Sequence, residues 1–318
     1  MSRLAPKLLE SIALERITPL LGESGVPQFA LPTRGNNSEV YLLSYPSGTG
    51  AVLRAFTDRH EYRRYRRAMS WASRHDAPVP RLLGCWGSPA CIRRWGRLFC
   101  LEEFVDGPLA EECDLGDPAV QGAILDAAAR LHDKIVPADG VWTRLRYHPP
   151  RQPYLLARAL KYLAEIPPSS PVFSPAERQH IECRLAESAA AIPRQKVFSL
   201  VHHHLAADDI ALWRDGRGAV VLDNGGLRFG HWGHDLEDVL AFLDGNDVEQ
   251  RRRLIALYLE RRTTLPASFP YEPMETFFQA DRHLKKLRSW VRKLGPDPGA
   301  PLSEQVETHR SALLRLLA

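Results

Sequence analysis

"LVHHHLAADDIALW" spans Leu200 to Trp213, and "VVLDN", carrying Asp223, follows after a short turn, "DGRG". Three consecutive histidines, His202 to His204, thus precede the pair Asp208 and Asp209, with a third acid beyond the turn. Such a cluster supports three readings: a transition-metal set, a loop that handles phosphoryl transfer, or a purely structural knot. If residues 202 to 204 are extended, His202 and His204 share one face and His203 takes the other. Joined by Asp209 or Asp223, those imidazoles would make a two-His, carboxylate metal set. The spacing is loose, and no HxxxH or HExxH helix accompanies it. The surrounding chain has to decide.

Bulk properties narrow the field. A chain of 318 residues can bury a large core, in two domains or in one domain of two lobes. Hydrophobic content of 44% and charged content of 25% are ordinary for a globular protein. A net charge of +4 is too small to imply a nucleic-acid partner. The five cysteines are odd in number and lack CxxC spacing, which argues against a disulfide framework or structural zinc and for a reducing cytoplasm. No apolar run approaches the roughly 20 residues of a membrane span. The N-terminal stretch reads as an amphipathic helix, not a signal peptide.

The order of elements is informative. "SEVYLLSYP", "SGTG" and "AVLRAF" read as a β-hairpin around a Gly-containing turn. Helical periodicity runs from Arg59 to His75 and stops before Pro78 and Pro80. "GRLFCLEEFVDG" is a further strand running into a connector. Helices are then predicted over 119–134, 154–166 and 175–191, the last opening on a Ser174-Pro175 cap. Short strands at "KVFSLVHH", "DIALWR" and "AVVLDN" precede four more helices, over 236–243, 247–262, 274–294 and 303–317. A strand-rich first part and a helical second part make an α+β pattern, not a doubly wound one.

Phosphoryl transfer with a divalent metal needs a group to orient the acceptor hydroxyl, oxygen ligands for Mg²⁺, a cation on the phosphates and a covering loop. In protein kinases the first two stand five residues apart on one loop, and the second metal ligand follows the next hairpin. Here His204 and Asp209 are five apart, "IALWRDGRGAVVL" makes the hairpin, and Asp223 follows it. On these residues the sequence resembles the aminoglycoside phosphotransferase and choline kinase-like family, relatives of protein kinases. That family reads roughly "HGDxHxxN", a hairpin, then "IDxxxxxxGxxxxDLA". The other family landmarks fall in order. "RGNNSEVYLL" and "AVLRAF" match the nucleotide-covering hairpin, "LEEFVDG" the hinge, and "AARLHD" the start of the helical lobe.

The resemblance implies a bilobal, protein-kinase-like α+β fold. Residues 1–103 would form the nucleotide-covering lobe, and 104–318 a helical lobe containing the catalytic-loop hairpin and C-terminal helices that wall the acceptor site. It further implies ATP and Mg²⁺ as cofactors and a small polar molecule as acceptor. Arg54 would meet the nucleotide phosphates, helped by backbone around Gly35 and Asn37, with Glu102 at the hinge. Asp209 and Asp223 would hold the metal. His202 would hydrogen-bond backbone near Asp223, and Asp235 would brace the loop.

The departures are specific. His204 stands where the family has its catalytic Asp, Asp209 where it has Asn, and His203 where it has Gly. Asp for Asn is mild, because hard cations favour charged oxygens. His for Asp is severe: a neutral imidazole with an ordinary pKa near ~6.5 can serve as a base, but lacks the carboxylate's two-oxygen geometry. Two functions therefore stand against each other. One is a phosphotransferase in which His204 orients or deprotonates the acceptor; the other is a pseudokinase that binds nucleotide or a protein partner without chemistry. Glu61 is left open as a partner for Arg54. The basic run "RHEYRRYRRAMSWASR" raises an RNA reading, with Tyr62, Tyr65 and Trp71 as stacking platforms, against a solvated helix whose aromatics pack inward. The inward-packed reading is preferred, so no nucleic-acid or membrane partner is expected.

Overall fold

The computed structural model describes residues 4–31, 39–137, 152–193, 197–245, 247–266, 268–294 and 303–318. Gly35 and Asn37 lie outside the described residues. The chain opens with α1 (Pro6–Ile12), passes through a π-helical turn at Ala13–Ile17 into α2 (Thr18–Leu21), and enters β1 (Gln28–Ala30), β2 (Glu39–Ser44) and β3 (Gly50–Phe56). Helix α3 (Arg59–Arg74) leads to β4 (Leu82–Trp86), α4 (Pro89–Trp95) and β5 (Leu98–Glu103). Next come α5 (Pro118–His132), β6 (Ile135–Pro137), α6 (Gln152–Ala164), α7 (Pro175–Ala190) and β7 (Val197–Val201). A small hairpin, β8 (Ile210–Leu212) and β9 (Ala219–Val221), precedes β10 (Arg228–Gly230) and α8 (Gly233–Leu243). Helices α9 (Val248–Arg261), α10 (Glu272–Leu294) and α11 (Glu304–Leu317) complete it.

These elements form two compact units. The first comprises Met1–Cys113 and Asp208–Gly226, the second Asp114–Ala207 and Leu227–Ala318. This division differs from the expected boundary near residue 103, and above all in the hairpin, which groups with the strand-rich unit and not with the helical one. Backbone contacts explain why. The Leu212 amide donates to the Pro108 carbonyl at 2.9 Å, and the Val221 amide to the Pro78 carbonyl at 2.7 Å. Gly107 runs so close that a Cβ there would lie 1.7 Å from the Leu212 carbonyl oxygen. Backbone can approach backbone this closely only where no side chain intervenes.

In the first unit the sheet order is β1-β2-β3-β5-β4, every pairing antiparallel. Alternation along β2 and β3 turns Tyr41, Leu43, Ala51, Leu53 and Ala55 to one core. Leu9, Ile12 and Ile17 of the N-terminal helix seal that core, so its amphipathic pattern is spent inside this unit. Helix α3 is capped by Asp58, whose carboxylate accepts the Glu61 amide at 2.7 Å. It buries Tyr62, Tyr65, Ala68, Met69 and Ala72 at helical spacing. Tyr62, Tyr65 and Trp71 are thus core residues, at 2%, 3% and 8% exposure, and the basic run offers no stacking platform. The RNA reading loses its support there.

In the second unit, β10, β7 and β6 pair in that order, and the helices assemble around α10, which packs on α6, α7, α8 and α11. Helix α8 is buried almost throughout, and a Cβ on its Gly233 would meet the Phe278 ring of α10 at 2.6 Å. That close approach brings the polar faces of α8 and α10 together. Among the described residues no helix is long and apolar enough to cross a membrane.

Candidate active site

The strand register of the first unit creates a charged cluster. Arg54 pairs with Cys100 across β3 and β5, and Val52 with Glu102. Arg54 and Glu102 are therefore diagonal neighbours on one face, within reach of long side chains. Arg54 Nε lies 3.2 Å from Glu102 Oε1, and Tyr65 donates to that same oxygen at 2.5 Å. The Arg54 guanidinium also sits over the Tyr65 ring, 5.2 Å from its centroid. Its outer end points to Asp223, with Nη1 3.5 Å from Oδ1. Burial opposes the charge on Arg54, but Tyr65, Glu102 and Asp223 outweigh it and raise its pKa, so it stays a cation. Burial also pushes the Glu102 carboxyl upward, against the pull of Arg54.

This arrangement answers the question left open over Glu61. Glu61 is exposed in the first turn of α3, and the carboxylates that pair with Arg54 are Glu102 and Asp223. Glu102, expected at a nucleotide hinge, has its carboxylate buried at 2% exposure and committed to Arg54 and Tyr65. Whatever it offers a nucleotide must come from its backbone.

The hairpin carries the two expected metal-binding acids. The Leu222 amide donates to the Asp209 carbonyl at 2.7 Å, continuing the β8–β9 ladder, so Asp209 and Asp223 stand at the same open end of one hairpin. Asp223 adopts φ of 45°, a left-handed conformation that Asp tolerates better than most residues. Its side chain is 72% exposed. Asn224 beside it is buried and donates to the Val221 carbonyl at 3.0 Å, closing the turn.

The second unit holds the histidine run. Asp235, fully buried at the start of α8, accepts the His202 amide at 2.6 Å on Oδ2 and the His203 amide at 2.7 Å on Oδ1. Nε2 of His132 lies 3.3 Å from Oδ2. Burial keeps His132 neutral by lowering its pKa. Its Nε2–H therefore donates to Asp235, and its Nδ1 accepts from the Tyr258 hydroxyl at 2.8 Å. For Asp235 burial is the largest single influence and pushes the pKa up; the His132 and His202 contacts together overcome it and bring it to about 2. His202 Nδ1 bonds the His204 carbonyl at 2.6 Å, a backbone contact within its own loop.

His203 shows why the family places Gly at this position. Its φ is 72°, in the region glycine enters without steric cost. The histidine is held there from both ends. Its carbonyl accepts from Lys285 Nζ at 2.9 Å, and its Nε2 accepts from Arg158 Nη1 at 2.9 Å. The ring stacks on His234, centroids 5.7 Å apart. Arg158 also reaches His234 Nδ1 at 2.8 Å and Asp281 Oδ2 at 3.0 Å. Burial first, then the surrounding cations, holds His203 well below the usual histidine range, so it is a neutral acceptor. Arg158, Asp281 and Lys285 escaped the sequence reading because they lie 45 to 82 positions away from His203 and belong to no motif, and His234 because only its neighbour Asp235 carries a motif role. His204 itself is exposed.

Among the described residues no group of three or more His, Cys, Asp or Glu side chains could hold a metal ion. The two-His, carboxylate reading of the run is thereby overturned: His202 is turned into its own loop. Two carboxylates and a nearby cation suit Mg²⁺ better, since that ion commonly takes one or two protein carboxylates and leaves its other positions to phosphate and water.

The model of the phosphotransferase enzyme family matches residues 29–271. The chain belongs to that family. A search of curated proteins returned no match. Solved structures agree in fold. A candidate aminoglycoside phosphotransferase from Ralstonia eutropha JMP134 is 18% identical with a TM-score of 0.67, over 99% of this chain and 96% of that one. A thermostable mutant of aminoglycoside phosphotransferase APH(4)-Ia, in ternary complex with AMP-PNP and hygromycin B, is 16% identical over 98% of this chain and 99% of that one, with a TM-score of 0.64. Spectinomycin phosphotransferase APH(9)-Ia, with ADP and spectinomycin, is 12% identical over 100% and 98%, with a TM-score of 0.63. At such identities the likeness establishes the α+β, protein-kinase-like fold of the phosphotransferase family.

Proposed function

We propose that this protein transfers the γ-phosphoryl group of ATP to a hydroxyl of a small polar molecule, with Mg²⁺ as cofactor. The observation that carries the proposal is the line of Glu102, Arg54 and Asp223. A buried carboxylate fixes a permanent cation, and that cation reaches an exposed acid. Arg54 is positioned to neutralise phosphate oxygens, and its stack on Tyr65 orients it before any ligand arrives. Asp209 and Asp223 would hold the metal, which when bound neutralises charge on the transferring phosphates. The acceptor hydroxyl would be met by His204, whose imidazole would take its proton as the new O–P bond forms and the bond to the ADP leaving group breaks. Asp235 serves the reaction indirectly, by fixing the backbone on which His204 sits.

The relatives with hygromycin B and spectinomycin suggest the size of acceptor to try first. The test is ADP release by the full chain with ATP, Mg²⁺ and a panel of aminoglycosides, amino alcohols and sugars. Acceptor-dependent turnover should appear, and Asp223→Ala should reduce it by at least about a hundredfold, because the substitution removes a carboxylate that would hold the charge-neutralising metal. An unchanged rate in Asp223→Ala would sink the assignment.

A second reading, a pseudokinase, is favoured by one observation: an exposed histidine where the family keeps its catalytic Asp. His204→Asp separates the two. A large gain of turnover marks a decayed active site, whereas a loss assigns the histidine a part in the chemistry. Thermal shift with ATP, with and without Mg²⁺, reports nucleotide binding in either case.

A further inference from the structure

Helices α8 and α10 each have a second polar face. Successive residues turn by about 100° around a helix, so Glu237 and Asp244 lie opposite Asp235, and Gln279 and His283 lie opposite Asp281 and Lys285. Asp235 and Asp281, which hold the histidine run, thus face away from these residues. The second faces, with Arg251 of α9 and Thr308, His309, Ala312 and Arg315 of α11, line a cavity of about 690 Å³. That volume falls within the roughly 300–1,000 Å³ typical of small-molecule sites.

Its charged residues are engaged to different degrees. Arg251 is fully committed, donating to Glu237 at 2.5 Å, to Asp244 at 2.6 Å and to Glu275. The Glu237 carboxyl is pushed up to about 7, by burial first, which lessens the negative charge this group sets against Arg251. Arg282 and Arg315 are underused. Arg282 has one long ion pair, Nε to Asp238 at 3.5 Å, and its buried Nε makes no hydrogen bond. Arg315 is exposed and pairs with no acid among the described residues.

The same cavity is lined by two imidazoles, His283 and His309, with their Nδ1 atoms 3.1 Å apart. At that distance one ring donates and the other accepts. Burial foremost, and then Arg282 beside both rings, keeps them neutral, at about 3 and about 4. Arg251 and Arg315 add to the positive field at His283, as does Lys286 at His309. A metal cation bridging the pair would meet only repulsion from these groups. An anion would meet two guanidinium forks, whose N–H geometry matches phosphate oxygens two at a time.

We propose that this cavity is a second ligand site, for a small phosphate- or pyrophosphate-bearing anion gripped by Arg282 and Arg315 together with the His283–His309 pair. It shares no residue with the groups assigned to phosphoryl transfer and, on the proposed function, would be a place where a phosphorylated compound binds without being the substrate. Isothermal titration of the full chain with inorganic pyrophosphate tests this. Arg315→Glu should weaken binding at least about tenfold, since it replaces a charge-assisted donor by a repelling acid. His309→Gln should weaken it less, and Arg54→Ala should leave it in place. Because Arg315 is exposed, its variant should melt with the wild type. Absence of binding to the wild type, binding insensitive to Arg315→Glu, or binding lost in Arg54→Ala would each overturn the proposal, the last by placing pyrophosphate among the nucleotide-facing groups.

Discussion

The two units handle aspartate in opposite ways. Asp223 of the first unit is 72% exposed, with Arg54 at 3.5 Å as its ion-pair partner. Asp235 of the second is wholly buried and accepts from two backbone amides and an imidazole. Both occupy positions at which the family places an acid, yet one is available for binding and the other for architecture. A carboxylate left in water costs little to keep and little to remove. One sealed in the interior must have every oxygen satisfied, and its removal leaves orphaned donors behind.

That contrast can be broken by measurement. Asp235→Ala should cost about 3–5 kcal/mol in denaturant unfolding, because two buried amides and the His132 N–H lose their acceptor. A loss below about 1 kcal/mol would show that the loop is held by other means. Glu102→Ala comes next, at about 2–3 kcal/mol, since Arg54 and the Tyr65 hydroxyl lose a buried charged partner. It should also weaken nucleotide binding by displacing Arg54, which a titration with ATP would read.

Acid titration sharpens the same comparison. The folded-state pKa values of Asp235 and Asp133 are both depressed to about 2. For Asp133 burial pushes upward, and hydrogen bonds from Thr264, Arg262 and Thr263 prevail. A depressed acid stabilises the fold above its unfolded value, near ~3.9, and that stability is lost as pH falls toward about 2. Unfolding free energy should therefore drop between about pH 4 and pH 2, with a shallower slope in Asp133→Asn. An unaltered slope would remove the aspartate from the account. Smallest of all, Asp223→Ala should shift stability by no more than about 0.5 kcal/mol, whatever it does to turnover, and matched melting curves would check it.

How legible all this was in the sequence depended on the range of the interaction. The hairpin at 39–56, helix α3 and the helical second half follow from local periodicity and from Gly and Pro punctuation, and they appear close to the expected bounds. The three-residue strands β1, β6 and β10 are too short to show any period. The partner of Arg54 was left open for a related reason. Glu61 is a neighbour in sequence, but Glu102 becomes one only once β3 and β5 have paired in a definite register. The braced histidine loop was half visible: the motif named Asp235, while Arg158 and Lys285 arrive from distant helices that carry no signature. The hairpin bearing Asp209 and Asp223 was assigned to the helical half because sequence order said so, and only backbone contacts with Pro78 and Pro108 reassign it.

One of those contacts reaches further than its chemistry suggests. Gly107 has no functional group, yet it runs against the Leu212 carbonyl with no space for even one added carbon. A methyl group at that point has to pry the hairpin off the backbone it packs against, and the hairpin carries Asp209 and Asp223 with it. The placement of two acids more than a hundred positions downstream is in this sense set by the absence of a side chain, and an alanine there would move both at once.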